Sequence, residues 1–304
     1  MGIRSKDDRR FVVVGLGEIL WDLLPNGKQL GGAPANFAYH AHLLGAEAYV
    51  VSCVGSDPLG REIFQRIDGL DIGRLFIQVT DQHPTGTVDV QIDAEGNPRY
   101  VIHENVAWDF IEVTPDLLEL AQRADAVCFG SLCQRSAVSR DTIRQFLQAT
   151  RPECLRVVDI NLRQAYFDAA LVDESLQAAN VLKLNDQELP AVAKLLGITG
   201  SDTEIVAKLI DQYGLDGIAL TRGAEGSILY TQDRISRHPG FKVQIADTVG
   251  AGDAFTAALV MGLLGSFDIN KVSVAANRVA SYVCTQAGAT PAIPGELKNA
   301  LFDE

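Results

Sequence analysis

The sequence predicts an α/β fold with a mostly parallel central sheet that is flanked by helices, and with a small β-sheet lid. Apolar runs of strand length alternate with amphipathic helical patterns along most of the chain, which is typical of βαβ units. Runs such as Ala126–Phe129 are apolar at every position, as in strands that are covered on both faces. Two further segments break this alternation, because each has short strand patterns with no helix inside it, and they predict the lid.

The elements of the central domain follow from local patterns. Strands are predicted from apolar runs, which are Phe11–Leu16, Ala48–Val54, Ala126–Gly130, Arg156–Ile160, Val181–Leu184 and Gly217–Leu220. Helices are predicted where apolar residues recur with helical spacing behind ordinary start signals, such as Pro115 after Thr114. They are Ala35–Leu44, Leu59–Ile67, Pro115–Arg123, Ser139–Thr150, Gln187–Leu196, Thr203–Tyr213, Gly252–Leu264 and Asn270–Thr285.

The lid is predicted from the segments at about 18–30 and 85–102, the second of which has a turn at Glu95–Pro98. Residues 1–10 are charged and are expected to form a flexible tail. Residues 11–304 are expected to form one α/β domain, because no repeat or linker-like stretch divides them. Exposed lid strands could pair across a homodimer, which would cover their edges.

The composition limits the class of partner. The formal net charge of the 304 residues is −13, from 26 basic and 39 acidic residues. This acidity argues against nucleic acids and anionic membranes as partners, and no apolar run is long enough to span a bilayer. The five cysteines show no zinc-binding spacing and no signal peptide is present, which fits a reducing cytoplasm. We therefore expect a cytoplasmic localisation.

The segment Asp247–Phe255 is the most informative part of the sequence. Gly250, Ala251 and Gly252 let backbone N–H groups converge without obstruction by side chains. The helix that follows adds unpaired N–H donors and the positive end of its dipole. Together they predict an anion hole for a transferring phosphoryl group, with Asp253 at its rim as a general base. The alternative interpretation is a glycine-rich turn with Asp253 as a helix cap.

A second polar constellation comes early in the chain. Gly31–Asn36 precedes a helix, and its glycine pair allows a ligand to approach the backbone closely. The amide of Asn36 can both donate to and accept from a sugar hydroxyl. Asp22 lies in an otherwise apolar strand, where its carboxylate could accept hydrogen bonds from two hydroxyls. The alternatives are a tight turn beside a helix start and a solvated edge residue.

These two motifs, in this order and at this separation, resemble the two signatures of the ribokinase-like (PfkB-type) carbohydrate kinases, and the fructokinases most. The resemblance extends from Phe11 to about Pro294. It implies a ribokinase-like fold and an ATP-dependent, Mg²⁺-assisted transfer of the γ-phosphoryl group to a primary hydroxyl of a monosaccharide. Fructose, giving fructose 6-phosphate, is the substrate that the resemblance favours.

The resemblance also implies residue roles. Asp253 would be the base, and the N–H groups of Gly250, Ala251 and Gly252 would bind the transferred phosphoryl group. The residues expected to hold the sugar are Asp22, Gly32, Asn36, Asn161 and Arg163, and Arg163 would also contact the phosphoryl group.

Further roles concern the nucleotide and its metal ion. Asn185 and Glu188 match an N-x-x-E element that organises Mg²⁺ and phosphate, with Glu188 acting through water. The residues expected to line the nucleotide site are Asn185, Thr221, Gly223, Gly226, Gly250, Gly252 and Asn277, the last beside the adenine. Local alternatives remain, because Arg163 could be a surface cation, Asn185 and Glu188 a helix start, and the two glycines a hairpin.

A monovalent cation is a further expectation from the resemblance. Asp247 and Val249 occupy positions at which many relatives bind K⁺, and Gly288 lies on the returning segment. Ala292 stands where some relatives have a serine ligand, so activation by K⁺ is left open.

Other functions stay open at this stage. Within the same class, the substrate could be 2-keto-3-deoxygluconate, ribose or a nucleoside. A non-catalytic regulator that binds sugar or nucleotide is an alternative from another class, although such a protein has no need of Asp253. A dinucleotide-dependent oxidoreductase is a more distant alternative, because Gly15–Gly17 lacks the third glycine of the usual fingerprint.

Overall fold

The structure, a computed structural model, describes residues 9–25, 27–92 and 98–300. The strands of this part are β1 (Val12–Leu16), β2 (Leu20–Leu24), β3 (Gly27–Gly31), β4 (Glu47–Gly55), β5 (Ile77–Thr80), β6 (Thr87–Ile92), β7 (Pro98–Ile102), β8 (Ala126–Phe129), β9 (Leu155–Asp159), β10 (Val181–Asn185), β11 (Gly217–Thr221), β12 (Ser227–Thr231) and β13 (Ile235–His238). The α-helices are α1 (Ala33–Leu43), α2 (Pro58–Gly69), α3 (Pro115–Arg123), α4 (Ala137–Ala149), α5 (Ala169–Ala178), α6 (Glu188–Leu195), α7 (Asp202–Tyr213), α8 (Ala251–Leu264), α9 (Ile269–Cys284) and α10 (Gly295–Ala300).

The large sheet has the order β13-β12-β11-β10-β9-β8-β1-β4-β5. Neighbouring strands in the run β11-β10-β9-β8-β1-β4-β5 pair in parallel, whereas β12 and β13 pair antiparallel at one edge. The predicted α/β fold with a mostly parallel central sheet is therefore confirmed. Side chains alternate between its two faces, since Val14 and Leu16 of β1 join one hydrophobic cluster and Val13 joins the other.

The small sheet predicted from the two lid segments is present and separate, with the order β3-β2-β6-β7. Strands β2 and β6 pair in parallel, and β3 and β7 pair antiparallel on the two outer sides. Trp21 of β2 is buried, and its indole N–H donates to the carbonyl of Leu59, which ties this sheet to the start of α2. The predicted turn at Glu95–Pro98 falls almost wholly on residues 93–97, which lie outside the described residues.

Helix α1 packs on α8, and α8 packs on α9 beside the large sheet. A Cβ on Gly15 would lie 2.0 Å from the carbonyl oxygen of Pro34, so β1 and the start of α1 are in contact only because this residue is glycine. β1 is followed by β2 instead of a helix, which removes the structural basis for the dinucleotide-binding alternative at Gly15–Gly17.

The structure also contains elements that the sequence analysis does not predict, namely β5, β13, α5 and α10. α5 begins with Asp168, whose side chain accepts from the N–H of Leu171. Its buried face consists of Leu171, Val172, Ser175 and Leu176, and two of its other residues are the acidic pair at 173–174. The apolar stripe is therefore short, which explains why periodicity alone did not identify it.

At the start of the described chain, Arg9 forms an ion pair of 2.6 Å with Asp125, and Arg10 donates to the carbonyls of Gly45 and Ala46. Residues 1–8 lie outside the described part, so the flexible tail stays a prediction. Within the described residues, no helix combines the length and apolar character needed to cross a membrane.

Candidate active site

Several of the predicted site residues lie where parallel strands of the large sheet end, at their carboxyl edge. β9 leads to the loop at 160–163, β10 to Asn185 and β11 to the loop at 222–226. These three strands are neighbours, so their loops lie side by side at the edge where open α/β sheets bind ligands. The first turns of α1 and α8 meet at the same edge, because Asn36 of α1 contacts Asp253 of α8.

The turn before α8 has a backbone conformation that requires glycine at its N-cap position. Gly250 is the N-cap residue, and its φ of 77° and ψ of −8° form a left-handed conformation that favours glycine. A Cβ on Gly250 would also lie 2.5 Å from the carbonyl oxygen of Ala289. The N–H of Ala251 donates to the carbonyl of Thr248 at 3.3 Å, so the turn itself engages one of the three predicted donors. Other N–H groups of the first turn have no acceptor within the helix.

Asp253 is half-buried in the first turn of α8. Nδ2 of Asn36 donates to its Oδ2 at 2.9 Å. Burial and the charge of Asp159 raise the pKa of Asp253 to about 6, although the bond from Asn36 and the charges of Lys183 and Arg163 oppose the rise. The predicted base is therefore held by a sugar-site residue and is largely ionised at pH 7 and above.

Glu18 lies beside the predicted site residues Asp253 and Arg163 and was not predicted from the sequence. It follows β1, is 4% exposed, and its Oε2 has no hydrogen-bond partner among the described residues. Burial raises the pKa of Glu18 to about 7, the charge of Asp253 adds to the rise, and Arg163 opposes it. The signal in the sequence was a lone glutamate between apolar residues. It was not considered as a site residue because the segment was assigned to a lid strand.

Two predicted sugar-binding residues, Asp22 and Gly32, lie in and directly after the first two lid strands. Burial raises the pKa of Asp22 in β2 to about 6, and the charge of Arg163 opposes the rise. A Cβ on Gly31 would lie 2.4 Å from Oδ2 of Asp22, so this glycine makes room for the carboxylate. Gly32 caps α1 with a φ of 110°, and a Cβ there would lie 2.3 Å from the carbonyl oxygen of Glu18.

The loop after β9 brings the next two predicted residues to the site. Asn161 has a φ of 43°, and its carbonyl accepts a hydrogen bond from Oγ of Ser131 at 3.3 Å. Arg163 is exposed and forms no salt bridge within the described part of the chain. Its charge nevertheless opposes the rise in the pKa of both Asp22 and Asp253. Arg163 is therefore close enough to interact electrostatically with both carboxylates.

Asn185 and Glu188 form the helix start that was one of their two interpretations. Oδ1 of Asn185 accepts from the N–H groups of Gln187 and Glu188, both at 2.9 Å. Oε2 of Glu188 accepts from the N–H of Asn185 at 2.9 Å, and its Oε1 accepts from Leu162 N–H at 3.0 Å. Burial raises the pKa of Glu188. This carboxylate thus connects the loops after β9 and β10 across the site.

The loop between β11 and β12 is a tight hairpin. Gly223 and Gly226 have φ values of 54° and 78°, and a Cβ on Gly226 would lie 2.1 Å from the carbonyl oxygen of His238. No described atom lies within 4 Å of the corresponding position on Gly223, which leaves its surface open. Thr221 ends β11 and pairs in register with Asn185, so the two predicted nucleotide-site residues are adjacent.

Asn277 is not brought into direct contact with the other predicted residues. It is 5% exposed on α9, where its Nδ2 donates to Oγ of Ser227 at 2.7 Å and to the carbonyl of Ser273 at 2.8 Å. The amide therefore packs against β12 behind the hairpin.

The predicted cation-site residues lie beside the glycine-rich turn. Oδ1 of Asp247 accepts from the N–H of Val249, and its Oδ2 accepts from the N–H of Gly288, both at 3.0 Å. Val249 is 41% exposed. The carboxylate thus links the turn before α8 to the returning segment at 287–290.

A buried ion pair lies beneath the turn and was also missed. Lys183 of β10 is 7% exposed, and its Nζ donates to Oδ1 of Asp159 at 3.0 Å. Oδ2 of Asp159 accepts from Oγ1 of Thr256 on α8 at 3.1 Å. A lysine inside the buried strand Val181–Asn185 was the signal in the sequence, but its partners come from distant positions in the chain.

Comparisons with known proteins agree with this architecture. Residues 26–295 match the pfkB family carbohydrate kinases. A fructokinase of Salmonella typhimurium is 31% identical over 262 residues, which cover 82% of this chain and 83% of that protein. PH1459 of Pyrococcus horikoshii, described as an uncharacterized sugar kinase, is 27% identical over 297 residues, 91% of each chain. Its crystal structure in complex with ATP has a TM-score of 0.80 and 26% identity, and the match covers 96% of this chain and 100% of that one.

Proposed function

Because the chain belongs to the pfkB family of carbohydrate kinases and is thus a sugar kinase, we propose that it transfers the γ-phosphoryl group of ATP to a primary hydroxyl of fructose. The product is then fructose 6-phosphate. The choice of ATP is supported by the complex of PH1459, and the choice of fructose by the 31% identity to a fructokinase.

The proposed mechanism rests mainly on the position of Asp253 in the first turn of α8. Asn36 fixes one carboxylate oxygen of Asp253 at 2.9 Å. In the proposed reaction this carboxylate takes the proton of the sugar hydroxyl while the hydroxyl oxygen bonds to the γ-phosphorus. The bond from phosphorus to the bridging oxygen breaks, and its electron pair leaves with ADP. The helix dipole, the free N–H groups around Gly250 and Gly252, and Arg163 stabilise the charge that develops.

The proposed sugar pocket lies between the small sheet and this base. In this pocket Asp22 accepts hydrogen bonds from sugar hydroxyls, and the amide of Asn36 hydrogen-bonds to another hydroxyl. Gly32 lets the sugar approach the backbone closely. Asn161 and Arg163 line the opposite side of the pocket. Closure of the small sheet over the sugar then acts as a lid that excludes water and limits hydrolysis of ATP.

The proposed nucleotide site lies along the ends of β10 and β11. Asn185, Thr221 and the open surface at Gly223 line its phosphate side, Gly226 holds the hairpin in shape, and Asn277 supports the adenine end from behind. The N–H groups of Gly250 and Gly252 approach from α8.

The residues fit Mg²⁺ only as an ion that arrives with the phosphates. Within the described residues, no cluster of three or more His, Cys, Asp or Glu side chains could enclose a metal ion. Mg²⁺ commonly uses one or two carboxylates with water and substrate phosphates, and Glu188 would serve through water. When bound, the ion neutralises phosphate charge.

Activation by K⁺ at Asp247 and Val249 is a separate proposal. Both carboxylate oxygens of Asp247 already accept hydrogen bonds from backbone N–H groups.

The test is ADP release from Mg-ATP with a panel of acceptors: fructose, 2-keto-3-deoxygluconate, ribose, glucose, adenosine and inosine. We expect the highest kcat/KM with fructose. A higher kcat/KM with another acceptor would leave the proposed mechanism unchanged and would identify that acceptor, instead of fructose, as the preferred substrate. ATP binding without turnover on any acceptor would instead support the non-catalytic regulator, and the product is identified by phosphorus NMR.

A further inference from the structure

A closed set of polar contacts lies directly beneath the proposed anion hole. The ammonium of Lys183 is held by Asp159, and Asp159 is held in turn by Thr256. Oγ1 of Thr256 also lies 2.9 Å from the carbonyl oxygen of Gly252. A Cβ on Gly252 would lie only 3.2 Å from Nζ of Lys183. The ammonium therefore reaches the backbone of the first turn of α8 from below.

We propose that Lys183 is a positioning residue for phosphoryl transfer: Asp159 holds its ammonium against Gly252, where the fixed charge keeps Asp253 ionised and complements the anion hole. This inference rests on the proposed function of the same site. It adds a residue that acts through the base and through the backbone of α8, without touching the sugar.

The location of the charge is the main argument. The N-terminus of a helix is the positive end of its dipole, so the dipole opposes a cation that is placed there. A buried ion pair is itself a weak source of stability, because desolvation offsets the attraction. Lys183 is nevertheless buried beside the first turn of α8. An anion that binds at this turn, such as a transferring phosphoryl group, is attracted by both the helix dipole and this ammonium.

The surrounding charges give the second argument. The pKa of Lys183 is raised, because the charges of Asp159, Glu188 and Asp253 together outweigh the effect of burial. One ammonium thus interacts with both the proposed base and the carboxylate proposed to act on Mg²⁺. A pair that served packing alone would need only Asp159.

The ionisation of Asp253 depends on groups from every element packed around it. Asp159 of β9 and Glu18 after β1 disfavour its charged form, whereas Lys183 of β10, Arg163 and the amide of Asn36 favour it. Cys128 of β8 also faces it and has a strongly raised pKa, so this thiol stays neutral. Among these groups, Lys183 and Asp159 form one pair with opposite effects on the base.

This opposition allows a test in which the two halves of one ion pair give opposite results. In Lys183→Met the base loses a nearby cation, so the acid limb of kcat/KM should move to higher pH by about one unit. In Asp159→Asn the base loses a nearby anion and keeps the ammonium, so the limb should move to lower pH. A purely structural pair predicts lower stability in both variants and no movement of the limb.

Thr256→Val is the matched control. It removes the hydroxyl that contacts Asp159 and Gly252 but changes no charge and little volume, so its limb should stay at the wild-type pH even where stability falls. Movement of the limb in the same direction in both charge variants, or in neither, overturns the proposal. A wild-type limb in Lys183→Met together with a moved limb in Thr256→Val overturns it as well.

A second measurement does not require turnover. The carboxyl carbon of Asp253, labelled with ¹³C and assigned by its loss in Asp253→Asn, is titrated by NMR without substrate. The pKa of Asp253 should shift upward in Lys183→Met and downward in Asp159→Asn. Because this titration needs no turnover, its result does not depend on whether the protein phosphorylates a sugar.

If a single variant does not fold, the double variant Lys183→Met/Asp159→Asn removes both buried charges. We expect it to lose about tenfold or more in kcat, and wild-type kcat in a folded double variant overturns the proposal.

Discussion

At the scale of single residues, the site is defined by carboxyl groups whose pKa values are raised toward neutral pH. Burial raises the pKa of Glu18 to about 7 and, with the charge of Asp159, that of Asp253 to about 6. A base whose pKa lies just below neutral pH is ionised there and still has appreciable affinity for a proton, so it is suited to accept the proton of a hydroxyl. The same burial costs stability whenever these groups are charged, so activity and stability oppose one another here.

Glu18 gives the clearest prediction for stability. Its pKa rises from 4.5 to about 7 on folding, so between these pH values the folded chain binds more protons than the unfolded chain. Stability from Glu18 is therefore present at low pH and is lost as pH rises. Relative to wild type, the unfolding free energy of Glu18→Gln should increase by about 3 kcal/mol between pH 4.5 and 8. Urea unfolding at both pH values measures this.

Glu119→Gln, on the exposed side of α3, is the control for that experiment. It should show the pH dependence of wild type. An equal change in Glu18→Gln and Glu119→Gln would contradict the assigned burial of Glu18.

Asp22 is predicted to act on the sugar alone. It lies in β2 of the small sheet, whereas the nucleotide is proposed to bind at the ends of β10 and β11 in the large sheet. Asp22→Asn should raise the KM for the sugar by about tenfold or more, because a charged acceptor of hydroxyl hydrogen bonds is lost. The KM for ATP should change little. A comparable increase in both KM values, measured by initial rates, argues against the proposed division of the site.

At the scale of elements, two helix N-termini and one glycine-rich turn determine the geometry. Gly250 combines a left-handed backbone with a Cβ position 2.5 Å from the carbonyl of Ala289. Gly250→Ala should therefore lower kcat strongly and destabilise the fold by about 1–2 kcal/mol or more. Gly69→Ala is the matched control, because no described atom lies within 4 Å of its Cβ position at the end of α2. Comparable kcat losses in the two variants would show that the turn has no special role.

The same scale shows what the sequence can predict. The strands β1, β4 and β8–β11 and the helix α8 came from patterns that are strong within each segment, and their boundaries agree within a few residues. β13 and α5 were missed, because β13 (Ile235–His238) lies at a sheet edge with only Ser236 buried, and α5 has a short apolar stripe. Local patterns identify elements that bury a continuous face and fail where burial is partial.

At the scale of the whole molecule, the site joins positions that are remote in the chain. Asn36 and Asp253 were predicted from local motifs, and their contact could be inferred only from the resemblance to a family. Lys183, Asp159 and Thr256 were not predicted as a group, because each looks ordinary in its own segment and only folding brings the charges together. Glu18 was missed for a different reason, because its segment was assigned to a lid strand.

The small sheet is the second feature of the whole molecule with a testable consequence. Its outer strands β3 and β7 have free edges within the described chain, and Tyr100 and Val101 of β7 are 50% and 38% exposed. Such edges are commonly covered by pairing. We propose a homodimer through the lid, with twice the 32.8 kDa mass of one chain. Light scattering after gel filtration tests this, and a monomer at all concentrations excludes it.

The central claim is that Asp253 is the general base of a sugar kinase. The most direct measurement compares fructose-dependent ADP release by wild type and Asp253→Asn, with both proteins shown to be folded and to bind ATP. The asparagine can still accept the hydrogen bond from Asn36 but cannot take a proton at neutral pH. We expect a loss of about 10²–10⁴-fold in kcat. Turnover near that of wild type in a folded Asp253→Asn protein would contradict it.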